Sequence, residues 1–151
     1  MPPAALAPEP YRRHTIRIHT AWLKARIQSV SAFASNTFVT VAPANTPLPY
    51  VLIHPMDGTD LADRLAGPNL VQNPRFVIHS VGKTYNSCAW AAEQVKAVLV
   101  VSGLGVIPTI TGELAGRVWY SVPQPVQTDD DVTPPYLYHT SECGFESTPT
   151  A

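Results

Sequence analysis

Two long stretches of the chain place apolar residues at the spacing of an α-helix. The first spans about residues 12–31. Its apolar side is predicted to consist of Ile16, Leu23, Ile27 and Val30. The second begins at Asn86 or Ser87 and reaches about Val101, with Gly103 just beyond it. Its predicted inner face consists of Cys88, Ala91, Ala92, Val95 and Leu99. We therefore predict two helices that each bury one side.

Shorter apolar runs between turn residues predict strands. Tyr50–His54 is an unbroken apolar run, which is typical of a strand buried on both faces. Pro108 predicts that one further strand lies at a sheet edge. The further predicted strands are residues 36–41, 75–81, 106–111, 116–122 and 136–146. The pattern over 57–73 favours a short helix from Asp60 to about Ala66, since Gly67 and Pro68 would stop it.

This order of elements predicts an α+β domain. Its sheet is expected to be mixed but mostly antiparallel, and the two main helices are expected to cover it. A length of 151 residues suits one domain, and a charged fraction of 14% beside 45% hydrophobic residues excludes an intrinsically disordered chain.

Proline is unusually frequent, with 16 residues in the chain, about twice the average usage of ~5%. None lies between Tyr11 and Ala42 or between Arg75 and Ile107, so these two blocks are predicted to form the packed scaffold. Prolines crowd residues 1–10, which are predicted to form an extended N-terminal arm ahead of a single domain at 11–151.

Charge is divided unevenly between the two parts of the chain. Residues 1–56 hold five basic residues and one acidic residue, whereas residues 57–151 hold five and ten. Arg13, Arg17 and Lys24 gather on one flank of the first helix and form a candidate basic contact face. An ordinary solvated helix face is the alternative interpretation. The net charge of -1 excludes a dedicated reader of duplex DNA.

Cysteine usage and hydropathy indicate the cellular compartment in which the protein is expected. The two cysteines form no CxxC pair, so neither a zinc ribbon nor a disulfide framework is predicted, and a reducing compartment is expected. The N-terminal residues lack the pattern of a signal peptide, and no stretch approaches the roughly 18 apolar residues of a membrane span. We therefore expect a soluble protein made in a cytoplasm.

Candidate catalytic and binding motifs are weak. Gly82-Lys83-Thr84 follows a predicted strand, but Val77 stands where a phosphate-binding loop needs its first glycine. His54, His79 and His139 lie on three predicted strands and could converge on a metal, although three separate histidines is the simpler interpretation. No nucleophile and base pair is found, so neither catalysis nor a cofactor is predicted.

Two tryptophans are more informative. Trp90 points away from the inner face of the second helix, and Trp119 lies on a strand whose other face is also apolar. Exposed tryptophans favour a subunit interface, so Trp90, Trp119 and the nearby Arg117 are candidate contact residues. The alternative is that long loops cover both tryptophans.

The acidic run Asp129–Asp131 is a further candidate site. A run of this kind is typical of a solvated turn, and the alternatives are a cation site or a lining that repels DNA.

Several segments resemble one family. They are Arg117-Val-Trp-Tyr, the run from Pro125 to Tyr138 with its Asp-Asp-Val-Thr-Pro-Pro motif, Phe145-Glu-Ser-Thr-Pro, Pro49–Pro55 and Ala89–Val95. Together with the first helix they are similar to the tail terminator proteins of long-tailed, non-contractile bacteriophages, particularly those of actinobacterial hosts. The likeness covers most of residues 12–149. Residues 1–10 and 57–73 are longer than in a minimal member, so nothing is transferred to them.

The resemblance implies a virion protein that assembles in the bacterial cytoplasm as a hexameric ring. Such a ring caps the tail tube, ends its polymerisation, and joins it to the head connector or stopper protein, while DNA passes through without sequence-specific contact. On this interpretation Asp129, Asp130 and Asp131 face a neighbouring ring or the channel. The alternatives are another neck component, such as a head-to-tail stopper, and a small ligand- or metal-binding protein or enzyme that uses the three histidines.

Overall fold

The computed structural model describes residues 16–56, 61–64 and 67–150, with the backbone alone at 61–64 and 67–70. The predicted arm at 1–10, Arg13, and the two ends of the helix predicted from Asp60 to Ala66 lie outside the described residues. The strands and helices of the remainder follow below in chain order.

The largest unit is a six-stranded sheet. Along its main path lie β1 (Thr37–Val39), β2 (Tyr50–Met56), β5 (Arg75–Gly82), β11 (Tyr136–Gly144) and β10 (Gln127–Asp129), and β9 (Trp119–Ser121) also pairs with β11. Only the β1–β2 pairing in this sheet is parallel. The prediction of a mixed, mostly antiparallel sheet is therefore confirmed.

Two helices cover one face of this sheet. Helix α1 (Ile16–Gln28) packs on β1 and β2, while α2 (Tyr85–Leu99) packs on β5 and β11. All five residues predicted for the inner face of α2 are buried. Between the helices and the sheet lies a core that includes Leu23, Ile27, Phe33, Val51, Ile53, Phe76, Ile78, Val95 and Leu99. The α+β fold class is confirmed.

Short hairpins complete the described part of the fold. β3 (Leu61–Arg64) pairs with β4 (Gly67–Val71), β6 (Val100–Val101) with β7 (Leu104–Gly105), and β8 (Glu113–Ala115) with β12 (Ser147–Pro149), all antiparallel. In the turn of the β6–β7 hairpin, Ser102 and Gly103 both have positive φ, of 53° and 78°. Two such residues give the turn whose twist matches an antiparallel pair.

The helix predicted within residues 57–73 is wrong, because this stretch contains the β3–β4 hairpin. A hairpin satisfies the backbone N–H and C=O groups of both arms locally, and Gly67 and Pro68, which were expected to stop a helix, instead begin β4. The hairpin is anchored to the domain through a bridge in which Gln72 and Ser147 exchange backbone hydrogen bonds of 2.8 Å.

The strand predicted at 106–111 is also wrong. Pro108 has no N–H to donate, and the segment is held by isolated bonds at Val106, whose N–H donates to the Leu99 carbonyl and whose carbonyl accepts from the Val118 N–H. Pro108 and Ile110 nevertheless lie buried. The apolar residues Pro108 and Ile110 are therefore buried without being part of a strand.

The end of β1, the burial of β2 and the start of α2 also differ from the predictions. β1 ends at Val39 because Thr40 takes a positive φ of 71°, which strands do not accommodate. β2 is fully buried on one face alone, through Val51 and Ile53, so the expectation of two buried faces is wrong. Helix α2 begins at Tyr85 and is capped by Thr84, whose hydroxyl accepts from the Ser87 N–H at 3.2 Å, not by Asn86 or Ser87.

Candidate interaction surfaces

Trp90 lies on the outer side of α2, as predicted. Its ring is 42% exposed and is tilted against the buried Phe33, with a centroid distance of 5.9 Å. One edge of the indole is therefore fixed by the core, while the rest is free to contact another molecule. A fixed aromatic loses little conformational freedom on binding, which favours a contact role.

Trp119 lies on the face of the sheet opposite the helices, called the far face below. Its ring is 41% exposed and lies close to Gly144, where an added Cβ would approach ring carbon Cζ2 to 2.7 Å. The Arg75 guanidinium lies 5.6 Å from the ring centroid and 3.4 Å from a Glu142 carboxylate oxygen. This cation–π contact and the close glycine hold the indole in one orientation.

The three candidate contact residues do not form one patch. Trp90 is on the helix side, Trp119 is on the far face, and Arg117 donates through Nη1 to the Gly105 carbonyl at 2.9 Å. Arg117 therefore tethers the β6–β7 hairpin to the chain before β9. The two tryptophans therefore lie on two separate surfaces. The apolar period within each element does not predict this separation.

The acidic run forms the turn between β10 and β11. Asp129 ends β10, and its Oδ1 accepts the Asp131 N–H at 3.1 Å, which gives the turn a local fixed shape. Beside the turn lies a far-face cavity of about 460 Å³, lined by Tyr50, Leu52, His79, Val81, Thr128, Tyr138 and the three aspartates. We call it the acidic cavity.

The acidic cavity has an aromatic wall that sequence reasoning missed. Its members come from β2, β5 and β11 and meet because Leu52 pairs with His79 and Tyr138 with Val81. Burial, Tyr136 and Asp129 together raise the pKa of Tyr50, so its phenol stays neutral and can donate a hydrogen bond. The sequence shows that Tyr50 and Leu52 lie two positions apart on one strand and so share a face. It does not show the strand register that brings this face together with residues of β11.

The three histidines do not converge. His54 and His79 meet edge to face on the far face with ring centroids 4.8 Å apart, and burial followed by the charge of His54 lowers the pKa of His79. His139 lies on the helix side, because its neighbour Thr140 is the residue that pairs with His79. Within residues 16–56, 61–64 and 67–150, no group of three or more His, Cys, Asp or Glu side chains could hold a metal. The three histidines therefore cannot together serve as the ligands of the alternative metal site.

The basic flank of α1 borders a groove. Arg17 and Lys24 line a mainly apolar hollow of about 320 Å³ with Ile16, Thr20, Ala21, Val39 and Pro55. We call it the basic groove. Among the described residues, neither Arg17 nor Lys24 forms an ion pair. Arg17 and Lys24 therefore lie on one flank of α1, and their role as a contact face stays a prediction.

Both cysteines are free and buried. Burial raises the pKa of the Cys143 thiol to about 12 and also raises that of Cys88, whose Sγ donates to the Ser80 carbonyl at 3.2 Å. Thiols held neutral in this way pack as small apolar groups. In the described part of the chain, no helix has the length and hydropathy that crossing a membrane requires.

Comparison with known proteins finds similarity among solved structures. No protein-family model and no curated protein sequence matches the chain. Among solved structures, the chain is similar to one from the "Virion of native gene transfer agent (GTA) particle", with a TM-score of 0.55 and 17% sequence identity. The match covers 87% of this chain and 97% of that one, so the two share a fold over nearly the whole of the virion chain.

Proposed function

We propose that the protein is a virion structural protein of a bacteriophage-like particle, and specifically the tail terminator. In this role it forms a hexameric ring that caps the tail tube, ends its polymerisation and joins it to the head connector. The observation that carries the proposal is the fold shared with 97% of a gene transfer agent virion chain. The resemblance of the C-terminal segments to tail terminators gives the finer role.

The distribution of exposed aromatics supports a ring. A closed ring joins identical subunits head to tail, so each subunit needs two different contact surfaces. Trp90 on the helix side and Trp119 on the far face provide one anchor on each. We propose that both enter the contact between adjacent protomers, with Arg117 at its margin. The role needs no catalytic site.

The test combines assembly state with tube growth. Negative-stain imaging and analytical ultracentrifugation of the purified protein are expected to give a six-fold ring with a central hole, of about 98 kDa for six chains of 16.4 kDa. Added to polymerising tube subunits, the ring is expected to stop elongation. A monomer both alone and with tube subunits would contradict the proposal.

Tryptophan variants test the proposed contact. Trp90→Ala and Trp119→Ala are each expected to weaken ring assembly at least tenfold, since buried aromatic anchors contribute about 2 kcal/mol or more. Tyr85→Ala is the matched control, because Tyr85 is a 62% exposed aromatic on the same helix as Trp90. If both tryptophan variants sediment as intact rings, the contact assignment is wrong.

A head-to-tail stopper is the second candidate, because the shared fold belongs to a virion particle and does not by itself give the position of this chain within one. A stopper binds connector or capsid proteins and leaves tube growth unchanged. The elongation assay therefore separates the two functions directly.

A further inference from the structure

The basic groove and the acidic cavity lie on opposite faces of the main sheet. The groove is bounded by α1 and by Val39 and Pro55, which pair with the buried helix-side residues Ile53 and Phe76. The cavity is lined by far-face residues of β2, β5 and β11 and is closed by Asp129 of β10. The sheet itself therefore separates the acidic turn from the groove of the same chain.

The two sites are chemically complementary. The groove carries two cations that have no ion-pair partner among the described residues, next to an apolar floor. The cavity carries three carboxylates beside Tyr50 and Tyr138. Guanidinium and ammonium groups bind carboxylates through charge-assisted hydrogen bonds and pack on tyrosine rings. Each site therefore offers what the other lacks.

We infer that the basic groove of one protomer docks against the acidic cavity of an adjacent copy of the same chain. Arg17 and Lys24 of one copy meet Asp129, Asp130 and Asp131 of the next. Because the two sites are different and lie on opposite faces, the contact repeats from copy to copy and closes a ring when the rotation allows. The inference rests on the proposed ring and adds a charged pair of surfaces to the contact proposed for the two tryptophans.

This assignment replaces the expectation that Asp129–Asp131 face a neighbouring ring or the channel. A loop lining a DNA channel needs only negative charge. Here the acidic turn is instead fixed beside a far-face cavity with an aromatic wall, and the same chain carries a basic groove whose cations have no ion-pair partner among the described residues. Those features suit a specific cationic partner, and a second copy supplies it.

Charge reversal on each side provides the test. One variant carries Arg17→Glu and Lys24→Glu, and the other carries Asp129→Lys, Asp130→Lys and Asp131→Lys. Either variant alone brings like charges together at every contact, so each is expected to lose at least tenfold in association by analytical ultracentrifugation. Lys83→Glu and Glu93→Lys are the controls, since both residues are exposed and lie outside the two sites. Circular dichroism checks that every variant is folded.

Mixing the two variants gives the decisive result. An alternating ring of the two chains restores opposite charges at every contact, so an equimolar mixture is expected to recover rings with an even number of subunits. Rings from either variant alone, or no recovery on mixing, would overturn the inference while leaving the proposed function intact if the wild type still forms rings and stops tube growth. A wild type that remains monomeric with and without tube subunits overturns both.

Discussion

His19 and Glu113 form a buried pair that joins α1 to β8. The His19 Nε2 lies 2.9 Å and 3.1 Å from the two carboxylate oxygens of Glu113, and the two side chains are 2% and 0% exposed. The His19 ring also meets Phe145 edge-on at 5.6 Å. A carboxylate in such surroundings requires strong partners, because burial without them is costly.

Removing the histidine is therefore expected to destabilise the fold. His19→Ala removes one hydrogen-bonding partner of the buried Glu113 carboxylate, and such a loss typically costs about 1–3 kcal/mol in the free energy of unfolding. Ile18→Ala, at an exposed position of the same helix, is expected to cost about 0.5 kcal/mol or less. Denaturant unfolding followed by tryptophan fluorescence measures both. Similar stabilities for the two variants would show that the pair is not structurally important.

The His19–Glu113 pair could not be predicted from the sequence. The two residues are 94 positions apart, and Glu113 lies in a stretch whose strand pairing was not predicted. The edge-to-face contact of His54 and His79 shows the same limit, because it depends on strand register. Single residues were predicted well only where helix period decides their side, as for Arg17, Lys24 and Trp90.

At the scale of elements, α2 packs closely on the turn that precedes it. A Cβ added to Gly82 would lie 2.5 Å from the Cys88 backbone nitrogen and 2.9 Å from its Cα. These are atoms of the helix backbone, so the helix itself would have to move. Gly82 therefore permits the first turn of α2 to approach β5, and the Cys88 thiol then reaches the Ser80 carbonyl.

Gly82→Ala is expected to destabilise the protein by about 1–3 kcal/mol, as overpacking typically does. Gly116→Ala provides the matched control, because its added Cβ would meet its nearest neighbour at an ordinary 3.8 Å. Thermal unfolding by calorimetry compares the two. A smaller loss for Gly82→Ala than for Gly116→Ala would show that the helix accommodates the methyl group without strain.

The long elements and the short strands β1 and β9 were predictable, whereas the short hairpins were not. Both helices and the central strands β2, β5 and β11 carry a periodic or continuous apolar signal, so their existence followed from the sequence. The β3–β4 hairpin and the irregular segment around Pro108 depend on pairing with distant residues. The end of β1 depends on the positive φ of Thr40. The local pattern of apolar and polar residues contains no information on distant pairings or on such backbone angles.

At the scale of the molecule, the uneven charge noted in the sequence becomes an arrangement in space. The groove with Arg17 and Lys24 lies on the helix side of the sheet, and the aspartates lie beside the far-face cavity. In a protomer polarised in this way, contacts that bring the two sites together are favoured over contacts that bring like charges together. The candidate surfaces were thus predictable as charged segments, but not as two faces of one sheet.

Assembly is therefore expected to depend on salt. Raising NaCl from about 0.1 M to about 1 M shortens the Debye length from roughly 10 Å to roughly 3 Å. We expect the association constant of the wild type to fall at least tenfold over this range in sedimentation experiments. The variant with Asp129→Asn, Asp130→Asn and Asp131→Asn is expected to assemble more weakly and to respond less to salt. Equal salt responses would mean that these charges are not at the contact.

The edge strands of the main sheet have a consequence for how the protein behaves at high concentration. β1, β9 and β10 are three residues each, and prolines follow or flank them at positions 43, 123, 125 and 134. Short edges interrupted by proline offer few free backbone groups to a passing strand, which is how natural sheets avoid amyloid-like growth. Concentrated copies are accordingly expected to meet through their side chains without templating fibres.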